Sequence, residues 1–191
     1  MDPLRTGSYG LAMETPHTNP QSSPIVHTLD ARTVLQTIGK RSFATVATTS
    51  PEGWPHAAGV LYAMSGDALY VSTLRSSRKA RNILTNPKVA VSVPVRRAPV
   101  GPPSIVSFQT TARVLDLDDP ELRAAAASGD LKAITGHGEL ELPGGVFLRI
   151  ALPRKVVTYG LGMSLLRLMR DPMQAAGVAH LGLSLIHISE P

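Results

Sequence analysis

The chain has 191 residues, of which 43% are hydrophobic and 17% charged, as expected of a globular domain with one hydrophobic core. The formal net charge of +5 favours an anionic ligand, but it does not separate a phosphate cofactor from nucleic acid. Cysteine is absent, which excludes thiol nucleophiles, disulfides and cysteine-ligated zinc sites. No apolar run approaches the roughly 18 residues of a membrane helix, so we expect a cytoplasmic protein without a membrane partner.

The first part of the chain divides into an extension and the start of a domain. Residues 1–24 are rich in Pro, Thr, Ser and Gly without a periodic apolar face, which predicts a disordered N-terminal extension. We place the main domain at residues 25–160. A short helix is predicted after Asp30, a possible N-cap, with Val34 and Ile38 on its apolar face.

The next segment has the pattern of three β-strands. Residues 42–49 alternate apolar and polar side chains, and residues 50–53 have the Ser, Pro and Gly positions of a type I turn. The returning strand is predicted at residues 54–63, and a turn at residues 65–67 leads into a third strand at residues 68–73. This order predicts an antiparallel meander.

The third strand leads directly into a cationic helix start. Ala80, Ile83 and Leu84 have helical spacing, and Ser76 or Ser77 is a plausible N-cap. Free backbone amides, the positive end of the helix dipole and nearby cationic side chains would then lie together, which predicts a phosphate site. A solvated helix face or a nucleic-acid footprint is the competing interpretation.

The second half of the chain predicts further strands and two helices. Strands are expected at residues 89–95, 104–115, 146–152 and 155–159. Residues 155–159 are predicted as the last strand, and the late strands close the barrel. A helix should begin at Pro120 and end before Gly129, whereas residues 131–141 predict no definite element. Two arginines, Arg96 and Arg97, stand in a proline-rich loop at residues 96–103.

We interpret residues 161–191 as a C-terminal tail with a short amphipathic helix at residues 164–170. Residues 183–191 have no capping pattern and look like translated sequencing-adaptor sequence, so we assign them no function.

A spaced pattern around the cationic helix carries a family resemblance. Ser72-Thr73, three further residues, Ser77-Arg78-Lys79 and then Asn86-Pro87 resemble the phosphate-binding segment of the pyridoxamine 5′-phosphate oxidase-like, FMN-binding split-barrel family. The resemblance implies a mainly β fold with flanking helices, a split β-barrel of about six antiparallel strands. It also implies a homodimer that binds FMN and transfers hydride to or from a small organic substrate.

The same resemblance assigns the candidate cofactor-binding residues. Hydroxyl groups and cationic side chains at the corner between the third strand and the cationic helix would hold the phosphate. These residues are Ser72, Thr73, Arg75, Ser77, Arg78 and Lys79. The backbone of residues 57–62 would contact the flavin ring, through Ala57, Ala58, Val60 and Tyr62. Gln109 is a further candidate, since its amide could meet a ring carbonyl or nitrogen. We identify no catalytic acid or base, and the scattered histidines predict no metal site.

Several alternatives remain open at this point. The Arg and Trp pattern with which true pyridoxamine phosphate oxidases hold their substrate is not found, so oxidation of vitamin B6 is not expected. A deazaflavin coenzyme also carries a phosphate and would suit the same corner. A non-catalytic flavin- or haem-binding protein, with His56 as an iron ligand, is the next alternative. Nucleic-acid binding ranks last, because only 4% of the residues are aromatic.

Overall fold

The computed structural model describes residues 27–95 and 104–182, and these residues form a curled β-sheet with a few helices around it. The strands are β1 (His27–Thr28), β2 (Phe43–Thr49), β3 (Pro55–Leu61), β4 (Ala63–Ser65), β5 (Ala68–Leu74), β6 (Lys88–Val95), β7 (Ser104–Leu115), β8 (Gly145–Ala151), β9 (Lys155–Tyr159) and β10 (Ala176–His180). The helices are α1 (Ala31–Gly39), α2 (Arg78–Thr85), α3 (Pro120–Ala127), α4 (Lys132–Thr135) and α5 (Leu165–Arg170), followed by a 3₁₀ turn at Pro172–Gln174.

The long strand β7 joins the two halves of the barrel. One half is a sheet in the order β1-β10-β9-β7-β6-β2-β3. In the other half, the end of β7 at Ala112–Leu115 pairs with β8, which pairs with β5, which pairs with β4. β3 and β5 approach each other without strand pairing, so the barrel is split between them. The predicted fold class, a mainly β split barrel, is confirmed.

The interior of the barrel is filled by aliphatic side chains from both halves. Val34 and Ile38 of α1 are completely buried, as are Val93 of β6 and Ile150 of β8. Each such side chain contributes about 1.5–3 kcal/mol through removal of apolar surface from water. A second cluster lies outside the barrel, where Leu122 and neighbouring side chains of α3 and α4 cover β4 and β5.

Most predicted boundaries are confirmed where they depend on neighbouring residues. Asp30 caps α1 by accepting a hydrogen bond from Thr33 N at 2.9 Å, and Asp119 caps α3 in the same way. The turn after β2 is closed by the Gly53 N to Ser50 O hydrogen bond of 2.9 Å. In each case the side chain or turn residue acts on a backbone group within three residues.

Three predictions differ from the structure. The prediction that residues 155–159 form the last strand is wrong, because β10 pairs with β9 along its whole length and runs parallel to β1. The predicted strand at residues 54–63 is interrupted at Tyr62, and α4 lies in a stretch where no element was expected. The strand β10, AGVAH, has little alternation and only one β-branched residue, so its strand character comes from the pairing itself.

Several predictions concern residues outside the described part of the chain: the N-terminal extension at residues 1–24, the loop at residues 96–103 and the segment at residues 183–191. The domain boundary at residue 160 stays a prediction, although the sheet continues through β10. Within residues 27–95 and 104–182, the helices are too short and too polar to cross a bilayer.

Candidate functional site

The start of α2 is tied to the end of β5 by two hydroxyl groups. Ser77 is the N-cap, and its Oγ accepts a hydrogen bond from Ala80 N at 3.3 Å. Thr73 Oγ1 donates to the same oxygen at 3.2 Å. The first N–H groups of a helix have no intrahelical acceptor, so the amides of Arg78 and Lys79 remain available to a ligand together with the positive end of the dipole. This corner has the donors that a phosphate group requires.

The inner face of α2 fixes the helix to the barrel. Ala80 and Ile83 are buried, as their spacing predicted. Asn82 is also buried, and its Nδ2 donates a 2.9 Å hydrogen bond to Thr48 Oγ1 on β2. Leu84, in contrast, is 56% exposed although it was grouped with the apolar positions. The polar residue Asn82 is therefore on the buried face of α2, where the apolar Leu84 was expected.

The predicted cations do not all lie at the corner. Lys79 is half-buried beside the cap, and Arg78 is exposed on the first turn of α2. The guanidinium of Arg75 forms an ion pair with Asp116, and its backbone N donates to Gly144 O at 2.9 Å. A phosphate ligand would have to compete with Asp116 for Arg75, so this residue is a weaker candidate than its neighbours.

A cleft of about 510 Å³ lies between α2 and the turn that joins β2 to β3. We call it the hairpin cleft. Arg78 and Arg81 line it from the helix, and Glu52, Trp54 and His56 line it from the hairpin. Arg81, which is also on α2, was not among the predicted site residues. Its spacing of three residues from Arg78, which puts both on one helix face, is the signal that identifies it.

Glu52, the one acidic side chain among the described residues that line this cleft, is held at the turn. Ser50 Oγ donates to Glu52 Oε2 at 2.7 Å, and this hydrogen bond lowers the pKa of the Glu52 carboxyl. Glu52 is consequently ionised at neutral pH. The cleft therefore contains two guanidinium groups and one carboxylate, which leaves it cationic.

Among the described residues, the backbone of β3 is paired along only one of its two edges, the one next to β2. Tyr62 N donates to Ser42 O at 2.8 Å, and Ser50 N donates to Trp54 O at 2.9 Å. In an antiparallel pair, hydrogen-bonded residues alternate along the strand, so the even-numbered residues of β3 direct their backbone groups to β2. The odd-numbered residues direct theirs to the unpaired edge, on the side of β5.

This alternation divides the predicted ring-contacting residues. The backbone groups of Ala58 and Val60 are directed to β2, whereas those of Ala57 are directed to the open edge. Gly59 and Leu61 share that edge; both lie within the predicted range 57–62, although neither was among its named contact residues. The open edge of β3 is the part that can offer hydrogen bonds to a ligand in the split.

Tyr62 faces the interior of the barrel. Its side chain is 1% exposed, and its hydroxyl donates to Ile38 O at 2.6 Å. Burial raises the pKa of the Tyr62 phenol well above its usual value. The side chain is thus a structural link between α1 and the barrel, and it is not positioned to touch a ligand in the split.

Gly59 has a packing role beside its place on the open edge. A Cβ atom at this position would lie 2.9 Å from the ring of Phe43, which crosses the strand there. Phe43 itself is 47% exposed on the outer face of the sheet. The absence of a Cβ atom at Gly59 therefore leaves room for the aromatic ring of Phe43 on the outer face of the sheet.

Gln109 lies in a different groove, away from the phosphate corner. A groove of about 620 Å³ crosses the outer face of β2, β6, β7 and β9, and Gln109 lines it with Lys155 and Val157. None of the other predicted site residues lines this groove, so the structure does not bring Gln109 together with the phosphate corner. Ser72, by comparison, is half-buried on β5 next to Thr73.

The remaining alternative ligand, haem, would depend on His56. This histidine is half-buried at the hairpin cleft, and its carbonyl accepts a 3.4 Å hydrogen bond from Thr48. Across the described parts of the chain, His, Asp and Glu side chains form no group of three that could hold a metal ion.

Comparison with known proteins gives one family match. A family model described as pyridoxamine 5′-phosphate oxidase matches residues 30–153, which is more than half of the chain. The match includes the whole of β2 to β8 and therefore the corner, the hairpin cleft and the open edge of β3. No curated protein sequence matches.

Solved structures extend the likeness in three dimensions. The haem-storage protein HutZ of Vibrio cholerae has a TM-score of 0.56 and 16% identity, over 65% of this chain and 90% of that one. A haem-binding protein of Mycobacterium smegmatis has a TM-score of 0.56 and 21% identity, over 69% of this chain but 53% of that one. A protein of unknown function from Agrobacterium tumefaciens has a TM-score of 0.55 and 18% identity, over 83% and 69%. At these low sequence identities, the similarity to the solved structures shows a shared fold and nothing more.

Proposed function

Because the chain belongs to the pyridoxamine 5′-phosphate oxidase family, we propose that it is an oxidoreductase that binds FMN and acts on a small organic substrate. The observation that carries this proposal is the capped start of α2, where Thr73 and Ser77 are hydrogen-bonded at the end of β5. A bound flavin would supply the hydride chemistry, and the protein would supply position and hydrogen bonds.

The phosphate would be held by Ser77, Lys79 and the free amides of the first turn of α2, with Ser72, Thr73 and Arg78 at its border. Charge-assisted hydrogen bonds contribute about 1.5–3 kcal/mol each. A micromolar cofactor requires about 8 kcal/mol, so two or three such bonds hold it only marginally. Contacts to the ring must supply the remainder.

The ring would lie in the split between β3 and β5. There the backbone of Ala57, Gly59 and Leu61 faces the open edge and can donate and accept hydrogen bonds. A planar ring that forms hydrogen bonds with the open edge of β3 would lie where an additional strand would pair with β3. Neither an acid nor a base from the chain is assigned, since the flavin supplies the reactive atoms.

The test is a titration of the purified protein with FMN, a deazaflavin coenzyme and haem, each followed separately by visible absorption and fluorescence. We expect saturable FMN binding in the micromolar range and oxidation of a nicotinamide or other reductant by the complex. If the deazaflavin coenzyme binds more tightly than FMN, the deazaflavin is the cofactor, and its phosphate is assigned to the same corner at the start of α2. Failure of both to bind would contradict the proposed function.

Haem binding is the second candidate. Two structures that share the fold are described as haem proteins, and in this chain the half-buried His56 is the residue that would ligate iron. A haem complex whose absorption spectrum changes in a His56→Ala variant, without turnover of any reductant, would favour this candidate over the oxidoreductase.

We also propose that the protein is a homodimer through the outer face of the sheet. Phe43 and Leu61 are cross-strand neighbours and are 47% and 61% exposed, and Val157 and Tyr159 add apolar surface on β9. A second copy would cover these side chains. Light scattering after gel filtration should give twice the chain mass, and Leu61→Glu should give the monomer; a monomeric wild-type protein would refute the dimer.

A further inference from the structure

The helix α5 and the 3₁₀ turn that follows it present three large apolar side chains to solvent. Leu166 is 81% exposed and Met173 is 82% exposed, more than any other large apolar side chain within residues 27–95 and 104–182. Met169 is 65% exposed. We call these three side chains the α5 ridge. Exposed apolar clusters of this kind mark surfaces that meet another protein or a membrane.

The helix that carries the ridge is already formed and is fixed to the protein. Leu168 is the buried residue of α5, and it packs with Met163 and Ala175 in a small cluster separate from the barrel core. Ser164 caps the helix, because its Oγ accepts a hydrogen bond from Arg167 N at 3.2 Å. Binding through the ridge therefore carries no cost of forming the helix.

Two arginines lie beside the apolar side chains. With about 3.6 residues per turn, Leu166 lies on the side of α5 opposite its buried residue, with Met169 on one flank and Arg167 and Arg170 on the other. Neither guanidinium forms an ion pair in the described parts of the chain. Asp171 is the only acidic residue between positions 142 and 182. The partner of this surface should therefore offer apolar and anionic groups side by side.

We propose that the α5 ridge binds the surface of a phospholipid bilayer that contains anionic headgroups. The apolar side chains would enter the layer between headgroups, while the guanidinium groups of Arg167 and Arg170 would stay at the level of the lipid phosphates. Leu166 and Met173 stand clear of the protein over most of their surface, and such a convex form suits a deformable lipid layer. The net charge of +5 adds attraction to an anionic surface.

This surface belongs to the chain itself and not to the matched family region. The family match ends at residue 153, and α5 begins at Leu165. The proposal is also independent of flavin binding, since none of the residues assigned to FMN lies on α5. The expectation of no membrane partner rested on the lack of a spanning segment, whereas a helix that lies in the plane of the surface needs no such length.

The first test is sedimentation of the full-length protein with lipid vesicles, without added cofactor. Vesicles of phosphatidylcholine and phosphatidylglycerol in equal amounts should bind the protein at least about tenfold more tightly than vesicles of phosphatidylcholine alone, because two arginines meet the anionic headgroups. Added salt should weaken this binding by screening. Failure to sediment with the mixed vesicles, or equal binding to both compositions, would overturn the proposal.

Variants with matched controls locate the contact. Leu166→Glu should weaken binding to the mixed vesicles at least about tenfold, whereas Leu84→Glu makes the same change in charge at an exposed leucine of α2 and should weaken it less than about threefold. Arg167→Ala should cost about fivefold, and Arg123→Ala on α3 should leave binding unchanged. Equal losses in either pair would reduce the effect to general charge and refute the ridge. Circular dichroism checks that all four variants are folded.

The absence of cysteine permits a direct measurement of insertion. Met169→Cys and Leu84→Cys each provide one thiol for an environment-sensitive fluorophore. The emission of the label at residue 169 should shift to the blue with the mixed vesicles, and that of the label at residue 84 should not. A blue shift at residue 169 without vesicles that depends on protein concentration would assign the ridge to a second copy of the chain and overturn the proposal.

Discussion

The two faces of α2 differ in what they touch, and the difference separates folding from binding in one short helix. The inner face places Ala80, Asn82 and Ile83 against the barrel, all at most 3% exposed. The outer face and first turn carry Arg78, Lys79 and Arg81, which have no ion-pair partner in the described parts of the chain. Changes on the inner face should therefore alter stability, and changes on the outer face should alter ligand affinity.

The largest effect is expected at Ile83. Ile83→Ala should lower the free energy of unfolding by about 2–5 kcal/mol, because it leaves a cavity where a buried side chain was removed. Leu84→Ala is the matched control on the same helix, since Leu84 is 56% exposed, and it should cost less than about 0.5 kcal/mol. Urea unfolding followed by circular dichroism measures both; equal losses would abolish the contrast between the faces.

The next effect concerns the buried hydrogen bond between Asn82 and Thr48. Asn82→Ala should destabilise the protein by about 1–3 kcal/mol, since Thr48 Oγ1 then loses the 2.9 Å hydrogen bond from Asn82 Nδ2. The double variant Asn82→Leu, Thr48→Val removes both polar groups together and should be less destabilised than the sum of its single changes. Additive losses would show that the two side chains act independently.

On the binding side, Lys79→Ala should weaken FMN binding at least about tenfold, or about 1.4 kcal/mol, while the unfolding midpoint stays within experimental error. Lys88→Ala removes an exposed lysine on β6 with the same change in net charge, and it should leave the dissociation constant unchanged. The measurement is a fluorescence titration with FMN. An unchanged constant in Lys79→Ala would contradict the assigned corner.

The smallest effect is expected at Ser77, which caps α2 and is also assigned to the phosphate site. Ser77→Ala should cost about 1 kcal/mol of stability, because Ala80 N loses its acceptor. Ser77→Asp should keep the cap but weaken FMN binding through repulsion between its carboxylate and the phosphate. Thermal unfolding and FMN titration of both variants give the answer, and tight FMN binding to the Asp variant would exclude Ser77 from the phosphate site.

Local sequence signals predicted a large part of the fold. Asp30 and Ser77 were recognisable caps because each acts on a backbone N–H within three residues, and the structure has hydrogen bonds at both. The start of α3 was recognisable from Pro120 at its first position. The strand β7, residues 104–115, was predicted in full from its β-branched and aromatic content. The family resemblance then supplied the barrel, and the match over residues 30–153 supports it.

Contacts between distant residues were not predictable in this way. Arg75 is paired with Asp116, 41 residues later, so a cation that the sequence placed at the corner is compensated elsewhere. Tyr62 faces the core and donates a hydrogen bond to Ile38 O, 24 residues earlier, although it belongs to the segment 57–62 that was assigned to the ring. Neither partner carries a local signal, because any exposed carboxylate or free carbonyl could have taken that place.

The sequence by itself determined where α1, α2, α3 and most of the long strands begin and that α2 starts with a capped, cationic turn, since caps, turns and periodicity involve neighbours along the chain. Only the tertiary structure decided which side chains of α2 are buried, which edge of β3 is open and that β10 completes the sheet. Those outcomes depend on backbone pairing and packing between residues far apart in sequence, which no short pattern specifies.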